Sequence, residues 1–289
     1  MSPLLVTQTR PELVWAEQQF DNGVAAVWQF SSGEREVSLS LMPLQMQAVN
    51  PDGQWVLADI VYQGGVSRLS SVAPLPQLVD KQKLTQQLAL VSEEQKPLLE
   101  EIWSMLAYIE GEALRDFLLE VLMNDSIMVP FCQGQGSHRH HHDELGGLLA
   151  HSHEVAMTAA MLCNKHQLGS TSVWVAFVGG LLHDIGKIRL YYNQSSGMCV
   201  QHEAYSFMLL ADPLDRLSVR APKTFEALSA CLSVKVGLSS EPYQVASIVR
   251  MCDRISAEVS NWRRAFVNVP AYYWYAKSPL DNQLYKRLG

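Results

Sequence analysis

Hydrophobic and polar residues follow two different rhythms along this chain. From Leu13 to about Ala73 the apolar runs are short and broken by turn residues, with Asp21-Asn22-Gly23 and Asn50-Pro51-Asp52-Gly53 as the clearest breaks. The runs VAAVWQF, EVSLSLMPL and WVLADIVYQ are rich in Val, Trp, Phe and Tyr, and EVSLSL alternates with period two. Alternation of that kind predicts half-buried strands. Four or five strands of a small β-barrel or curled sheet are expected, with an OB-like barrel among the options.

Pro74-Leu75-Pro76 ends that rhythm. Ser92 with Gln95 three residues on reads as a capping box. The run from Glu93 to Asn124 has helical periodicity with Gly111 as a break, MVPFCQGQGSHRHHHDE is loop-like, and helical patterns fill the chain to about Trp262. The expected fold is α+β and multidomain. A β-rich, OB-like domain spans 1–76, a linker 77–91, an all-α domain 92–262 and a basic, aromatic tail 263–289.

Bulk composition adds bounds. The chain has 289 residues, 48% of them hydrophobic and 18% charged, as in an ordinary globular protein. Its net charge of −7 argues against adhesion of the whole surface to nucleic acid, though not against a local basic groove. Five scattered cysteines without a C-x-x-C suggest neither a disulfide framework nor a thiolate zinc site. The N-terminus lacks the apolar core of a signal peptide, and no apolar run approaches a membrane span. A cytoplasmic protein with reduced thiols and no membrane partner is expected; the sequence is compatible with an oligomer.

The chemistry concentrates in GGLLHDIGK, Gly179 to Lys187, which sets His183 beside Asp184 at the end of an apolar run. An adjacent imidazole and carboxylate are two metal ligands in need of partners. Upstream, HHDELGGLLAHSHEVA offers His151 and His153 near the edges of an apolar stripe of Leu145, Leu149, Ala156, Ala160 and Cys163, and periodicity does not choose between them. Downstream, Asp253 lies in the helical YQVASIVRMCDRISAEV. Burying it unpaired would be costly, so it calls for a metal or for an ion pair with Arg250 or Arg254.

A histidine in GGLLAHSHE, then LLHDIGK, then a distant helical aspartate resembles the HD-domain superfamily of metal-dependent phosphohydrolases. The resemblance implies His151, His183, Asp184 and Asp253 as metal ligands and Lys187 as the lysine of HD-x-G-K. The paired His141-His142 ahead of Gly147-Leu148, with the β-rich segment before a helical one, is similar to the OB-fold-plus-HD 3′→5′ exoribonucleases of the YhaM type, over about Glu100 to Val259. Relaxase-type HD proteins of conjugation share a similar signature.

That resemblance implies a hydrolase of phosphoester bonds acting on RNA or single-stranded nucleic acid, with His141 and His142 touching substrate. Its alternatives are a small-nucleotide phosphohydrolase, or a weakened HD module that binds or regulates in a DNA-transfer system. Mixed imidazole and carboxylate ligands suit manganese, iron, nickel or cobalt, with magnesium also arguable. Asp184 would ligate the metal and orient a water. Lys187 would balance charge on phosphoryl oxygens, or simply favour a helix C-terminus. Binuclear members carry a further histidine and a His-His pair before the last aspartate. His202 can fill the first role as a second-metal ligand, but CLSVKVG, Cys231 to Gly237, holds no histidine, so one tightly held metal is expected. The tail interleaves rings with Lys and Arg, from Trp262 through Tyr275, which fits either single-strand stacking or packing onto the helical domain.

Overall fold

The structure, a computed structural model, describes residues 11–33, 35–63, 66–135, 145–192, 202–233, 242–278 and 282–288. The chain divides into two compact units. One holds residues up to 89 together with 99–108, and the other holds 90–98 and the chain from 109 onward.

The first unit is built on a curled five-stranded antiparallel sheet. Its strands are β1 (Glu12–Asp21), β2 (Ala26–Ser32), β3 (Arg35–Leu41), β4 (Gln54–Gln63) and β5 (Val66–Pro74), in the order β3-β2-β1-β4-β5. The first hairpin turns where the sequence placed a turn. Asn22 Oδ1 accepts from the backbone N–H of Val24 and of Ala25, both at 2.9 Å, and Gly23 takes a positive φ of 81°. Period-two alternation sends Ala26, Trp28 and Phe30 of β2 and Leu39 and Leu41 of β3 into a core with Val14, Ala16, Val56 and Ala58. Register shifts at Gln18/Phe20 in β1 and at Asp59/Ile60 in β4 bend the central strand and one of its neighbours, so the sheet curls into a half-barrel.

The stretch expected to be a linker contains a helix, α1 (Lys81–Leu88). Asp80 caps it by accepting from Lys83 N–H at 2.7 Å, Leu84 is fully buried, and Trp103 Nε1 donates to the buried Gln87 at 3.1 Å. These contacts override the weak local pattern. Helix α2 (Lys96–Met105) follows the Ser92-Gln95 cap, where Ser92 N–H donates to Gln95 Oε1 at 3.4 Å.

The second unit is helical: α3 (Glu112–Met123), α4 (Asp125–Gln133), α5 (Gly147–Lys165), α6 (Ser170–Leu182), α7 (Lys187–Tyr192), α8 (His202–Leu209), α9 (Ala211–Arg220), α10 (Pro222–Leu232) and α11 (Gln244–Phe266). Gly111 breaks the long periodic run as expected, standing as the N-cap of α3. Part of the segment read as a loop is α4. Pro130 lies inside that helix, which persists because Ile127, Met128, Phe131 and Cys132 are all buried. Helix α6 is apolar all round because α5, α10 and α11 pack against it. Its two glycines set those distances: a Cβ on Gly180 would lie 2.8 Å from Ala156 Cα on α5, and one on Gly179 would lie 2.6 Å from Cys231 Cβ on α10.

The tail also has structure. Strands β6 (Tyr275–Lys277) and β7 (Leu284–Lys286) pair as an antiparallel ribbon, where the sequence suggested only an irregular segment. Among the described residues, no helix is long and apolar enough to cross a membrane.

Candidate metal centre

Four side chains from three helical segments converge. Helix α5 supplies His151, the end of α6 supplies His183 with Asp184 in the turn behind it, and α11 supplies Asp253. One ligand atom from each lies within 4.8 Å of the others. His151 Nε2 is 3.4 Å from Asp184 Oδ2 and 3.2 Å from Asp253 Oδ1; His183 Nε2 is 3.3 Å and 3.5 Å from the same two oxygens. Ligands about 2.0–2.2 Å from one ion are spaced by roughly these distances.

The stripe on α5 decides between the two upstream histidines. The buried positions are Leu148, Leu149, His151, Ser152, Val155, Ala156, Ala159 and Cys163, so His151 is central to the buried face, whereas His153 is only half-buried. Leu145, expected on this stripe, precedes the helix and is exposed, and Ala160 is half-buried. The shift arises because Gly180 of α6 meets α5 at Ala156, and that contact sets which side of α5 faces inward.

The far side of each imidazole is fixed. His183 Nδ1 lies 2.7 Å from the Gly180 carbonyl, which can only accept, so Nδ1 carries the proton and the Nε2 lone pair faces the carboxylates. Ser256 Oγ donates to Glu154 Oε2 at 2.6 Å and is left to accept from His151 Nδ1 at 3.1 Å. His151 therefore has the same tautomer, held by a hydroxyl–carboxylate relay of the kind that orients metal-binding imidazoles. Neither Ser256 nor Glu154 was singled out by sequence, though each stands three residues after a candidate ligand and so shares its helix face.

Two Nε2 atoms aimed at two carboxylates call for positive charge between them, as imidazole protons or as a metal ion. His183 Nε2 is buried, and the atoms it faces are the Asp184 and Asp253 carboxylate oxygens, 3.3 Å and 3.5 Å away. Burial works against a charged His183, but the charge of Asp184 and hydrogen bonds to Asp184 and Asp253 overcome it and push its pKa up to about 10. His151 is raised in the same way, against its burial, by Asp184 and Asp253. Burial would raise both carboxyls. The His183 charge and the His151, His183 and His202 hydrogen bonds instead hold Asp184 well below the usual carboxylate range, and His151 and His183 hold Asp253 below it. The site concentrates negative potential between two imidazole Nε2 atoms that a divalent ion can claim by displacing their protons, and these residues fit such an ion.

Two further side chains contact Asp184. Lys187 Nζ is 2.5 Å from Oδ2, and His202 Nε2 is 2.9 Å from Oδ1, with Glu203 Oε1 3.5 Å beyond it. Gly186 brings His202 this close: its N–H donates to Ser206 Oγ at 3.0 Å, and a Cβ there would strike the His202 carbonyl at 1.8 Å. The ion pairs considered for Asp253 go elsewhere. Arg254 reaches Glu258 at 3.7 Å, while Arg250 donates to the Ala230 carbonyl at 2.9 Å at the end of α10. Asp184, Asp253, Lys187, His202, Arg250 and Ser233 line an open cavity of about 380 Å³. His141 and His142 lie outside the described residues.

Residues 123–206 match the model of the HDOD domain, which supports placing this region in an HD-like superfamily. The match takes in His151, His183, Asp184, Lys187 and His202 and ends before Asp253. No curated protein and no solved structure matches the chain.

Proposed function

We propose that this protein is a metal-dependent phosphohydrolase whose substrate is a phosphodiester of RNA or single-stranded nucleic acid, cut from the 3′ end. The observation that carries the hydrolase reading is the convergence of two Nε2 and two carboxylate oxygens beside an open cavity rimmed by Lys187, His202 and Arg250. His151, His183, Asp184 and Asp253 would hold a divalent ion, which when bound supplies an activated water and polarises a phosphoryl oxygen. Asp184 accepts from His202 through Oδ1 and presents Oδ2 to the ligand cluster, so it is placed to orient a water as well as to ligate. Lys187, 14% exposed, is placed to take a non-bridging oxygen.

The exonuclease part rests on the similarity to YhaM-type enzymes, with His141 and His142 as substrate contacts. An OB-like reading of the first unit is supported by its strand order, with β1 between β2 and β4. A second reading is a binding or regulatory module, favoured by the Lys187 ammonium, which already neutralises the metal-facing oxygen of Asp184.

The test is hydrolysis after metal loading with manganese, iron, nickel, cobalt or magnesium, with occupancy measured by elemental analysis. Shortening of a labelled single-stranded RNA from its 3′ end supports the full proposal. Phosphate release from mononucleotides alone would move the substrate class to small nucleotides. A loaded site with no hydrolysis of either overturns the enzyme reading in favour of the module.

A further inference from the structure

The ribbon that ends the chain has two unlike faces. Its register pairs Tyr275 with Lys286, Ala276 with Tyr285 and Lys277 with Leu284. Alternation turns Ala276 and Tyr285 inward, against Ala265, Phe266 and Val269. Tyr275, Lys277, Leu284 and Lys286 are left on the outside, all of them exposed.

The aromatic run leading into the ribbon stays exposed as well. Tyr272 is 80% exposed and Trp274 57%, and their neighbours Tyr273 and Tyr275 are 45% and 46% exposed. Successive rings lie close: Tyr272 to Tyr273 is 4.8 Å between centroids, and Trp274 to Tyr275 is 5.2 Å, with Lys286 Nζ 5.2 Å above Trp274. The backbone under these rings is anchored. Arg287 Nε donates to the Tyr273 carbonyl at 2.8 Å, and Trp262 Nε1 donates to the Lys286 carbonyl at 3.0 Å. A segment serving only to pack the helical unit would bury its rings. Here Ala276 is buried against Ala265 and Phe266, and the rings are presented.

Charge identifies the partner. From Arg263 to Leu288 the sequence carries five Lys or Arg against a single acid, Asp281, in a chain whose net charge is −7. The nearest acid before them, Glu258, faces Arg254. A second copy meeting the same face about a two-fold axis would set Lys277 and Lys286 against their equivalents. An acidic partner with flat, stackable groups satisfies both features, and only a single strand offers unpaired base faces beside its phosphates. We propose that the β6–β7 ribbon and residues 272–274 form a sequence-independent binding surface for single-stranded nucleic acid. Tyr272, Trp274 and Tyr275 stack bases, while Lys277 and Lys286 meet phosphates. The surface shares no residue with the metal centre and does not depend on the hydrolase reading.

The experiment is fluorescence anisotropy of the full chain with labelled uridine and thymidine homopolymers and a duplex of equal length, across a salt series. EDTA keeps hydrolysis out of the measurement, so failure here is distinct from failure of the metal centre. The expected result is binding of both single strands in preference to the duplex. Trp274→Ala with Tyr275→Ala weakens it by about fivefold or more for each ring. Lys277→Gln with Lys286→Gln lowers the slope of log affinity against log salt by about 1.4, and Lys165→Gln on α5 leaves it unchanged. The lysine substitutions are at exposed positions, so they remain informative if the ring variant melts early. No binding of either strand, or affinity and slope untouched in both double variants, overturns the proposal. So does self-association that the same variants abolish while no strand is bound.

Discussion

Ser256 and His151 are 105 residues apart in sequence, and the serine hydroxyl is the 3.1 Å partner of the imidazole Nδ1. Because Glu154 takes the serine proton, this contact turns the other nitrogen of His151 toward Asp184 and Asp253. Ser256→Ala removes the acceptor and leaves a buried N–H unsatisfied. Metal affinity should fall about 10- to 100-fold, with stability lowered by about 1–3 kcal/mol. Ser256→Thr should retain most of both. Competition with a chromophoric chelator measures the first quantity and denaturant unfolding the second. Equal affinity in Ser256→Ala and the parent would remove the relay from the site.

The metal-free site should give stability a particular pH profile. The folded state raises His183 from 6.5 to about 10 and raises His151 too, so their contribution is complete below about 6.5 and is lost as pH rises toward 10. Asp184 and Asp253 are depressed below 3.8, so their contribution is present above that value and lost as pH falls through their folded pKa values. In EDTA the melting temperature should therefore decline on the alkaline side of neutrality. An ion that displaces the imidazole protons should remove most of that decline. Thermal melts from acid to alkaline pH, with and without manganese, check this; superimposed alkaline limbs would contradict it.

Gly180 positions two of the ligands at once. The atom a Cβ would meet at 2.8 Å is backbone, Ala156 Cα, and cannot swing aside. Gly180→Ala must part α5 from α6, which carry His151 and His183. A cost of about 1–3 kcal/mol is expected for overpacking of this kind, together with a loss of metal affinity even though no ligand has changed. Gly111→Ala, where a Cβ meets nothing within 4 Å, is the control. Denaturant unfolding and metal titration of both variants provide the check.

Local chemistry made parts of this molecule readable in advance. The strands of the first sheet announce themselves through alternation and through the Asp21-Asn22-Gly23 turn, because a half-buried strand and a tight turn both have short-range signatures. The His183-Asp184 pair is visible because its ligands are adjacent. Facts set by contacts distant in sequence were hidden. The choice of His151 over His153 depends on where α6 touches α5, and the helix at 81–88 depends on Leu84 and on Gln87 meeting Trp103. The C-terminal ribbon leaves no period in the sequence, because strands of three residues are too short to show one.

That choice can be tested directly. His151→Ala, Asp184→Ala and Asp253→Ala should each abolish tight metal binding and any hydrolysis, since each removes one of four converging ligands. His153→Ala should keep most of both, its ring lying off the central buried face of α5. Elemental analysis of the purified variants separates the two groups. Metal retained in His151→Ala but lost in His153→Ala would reverse the assignment on α5.

Lys187 separates the enzyme from the module. Its ammonium sits 2.5 Å from Asp184 Oδ2, the same oxygen that faces both imidazoles. Without substrate the ammonium competes with a metal ion for that oxygen, so Lys187→Met should raise metal affinity. If the lysine moves to a phosphoryl oxygen during reaction, the same variant should lose turnover by about 100-fold, as expected for removing a group that stabilises developing charge. Higher affinity with lower turnover is the signature of a catalytic lysine. Higher affinity with no hydrolysis to lose, in parent and variant alike, marks a lysine that only balances charge, and a site kept for binding. The two measurements on this one variant, metal titration and hydrolysis of single-stranded RNA at saturating metal, therefore distinguish a working hydrolase from a regulatory HD-like module.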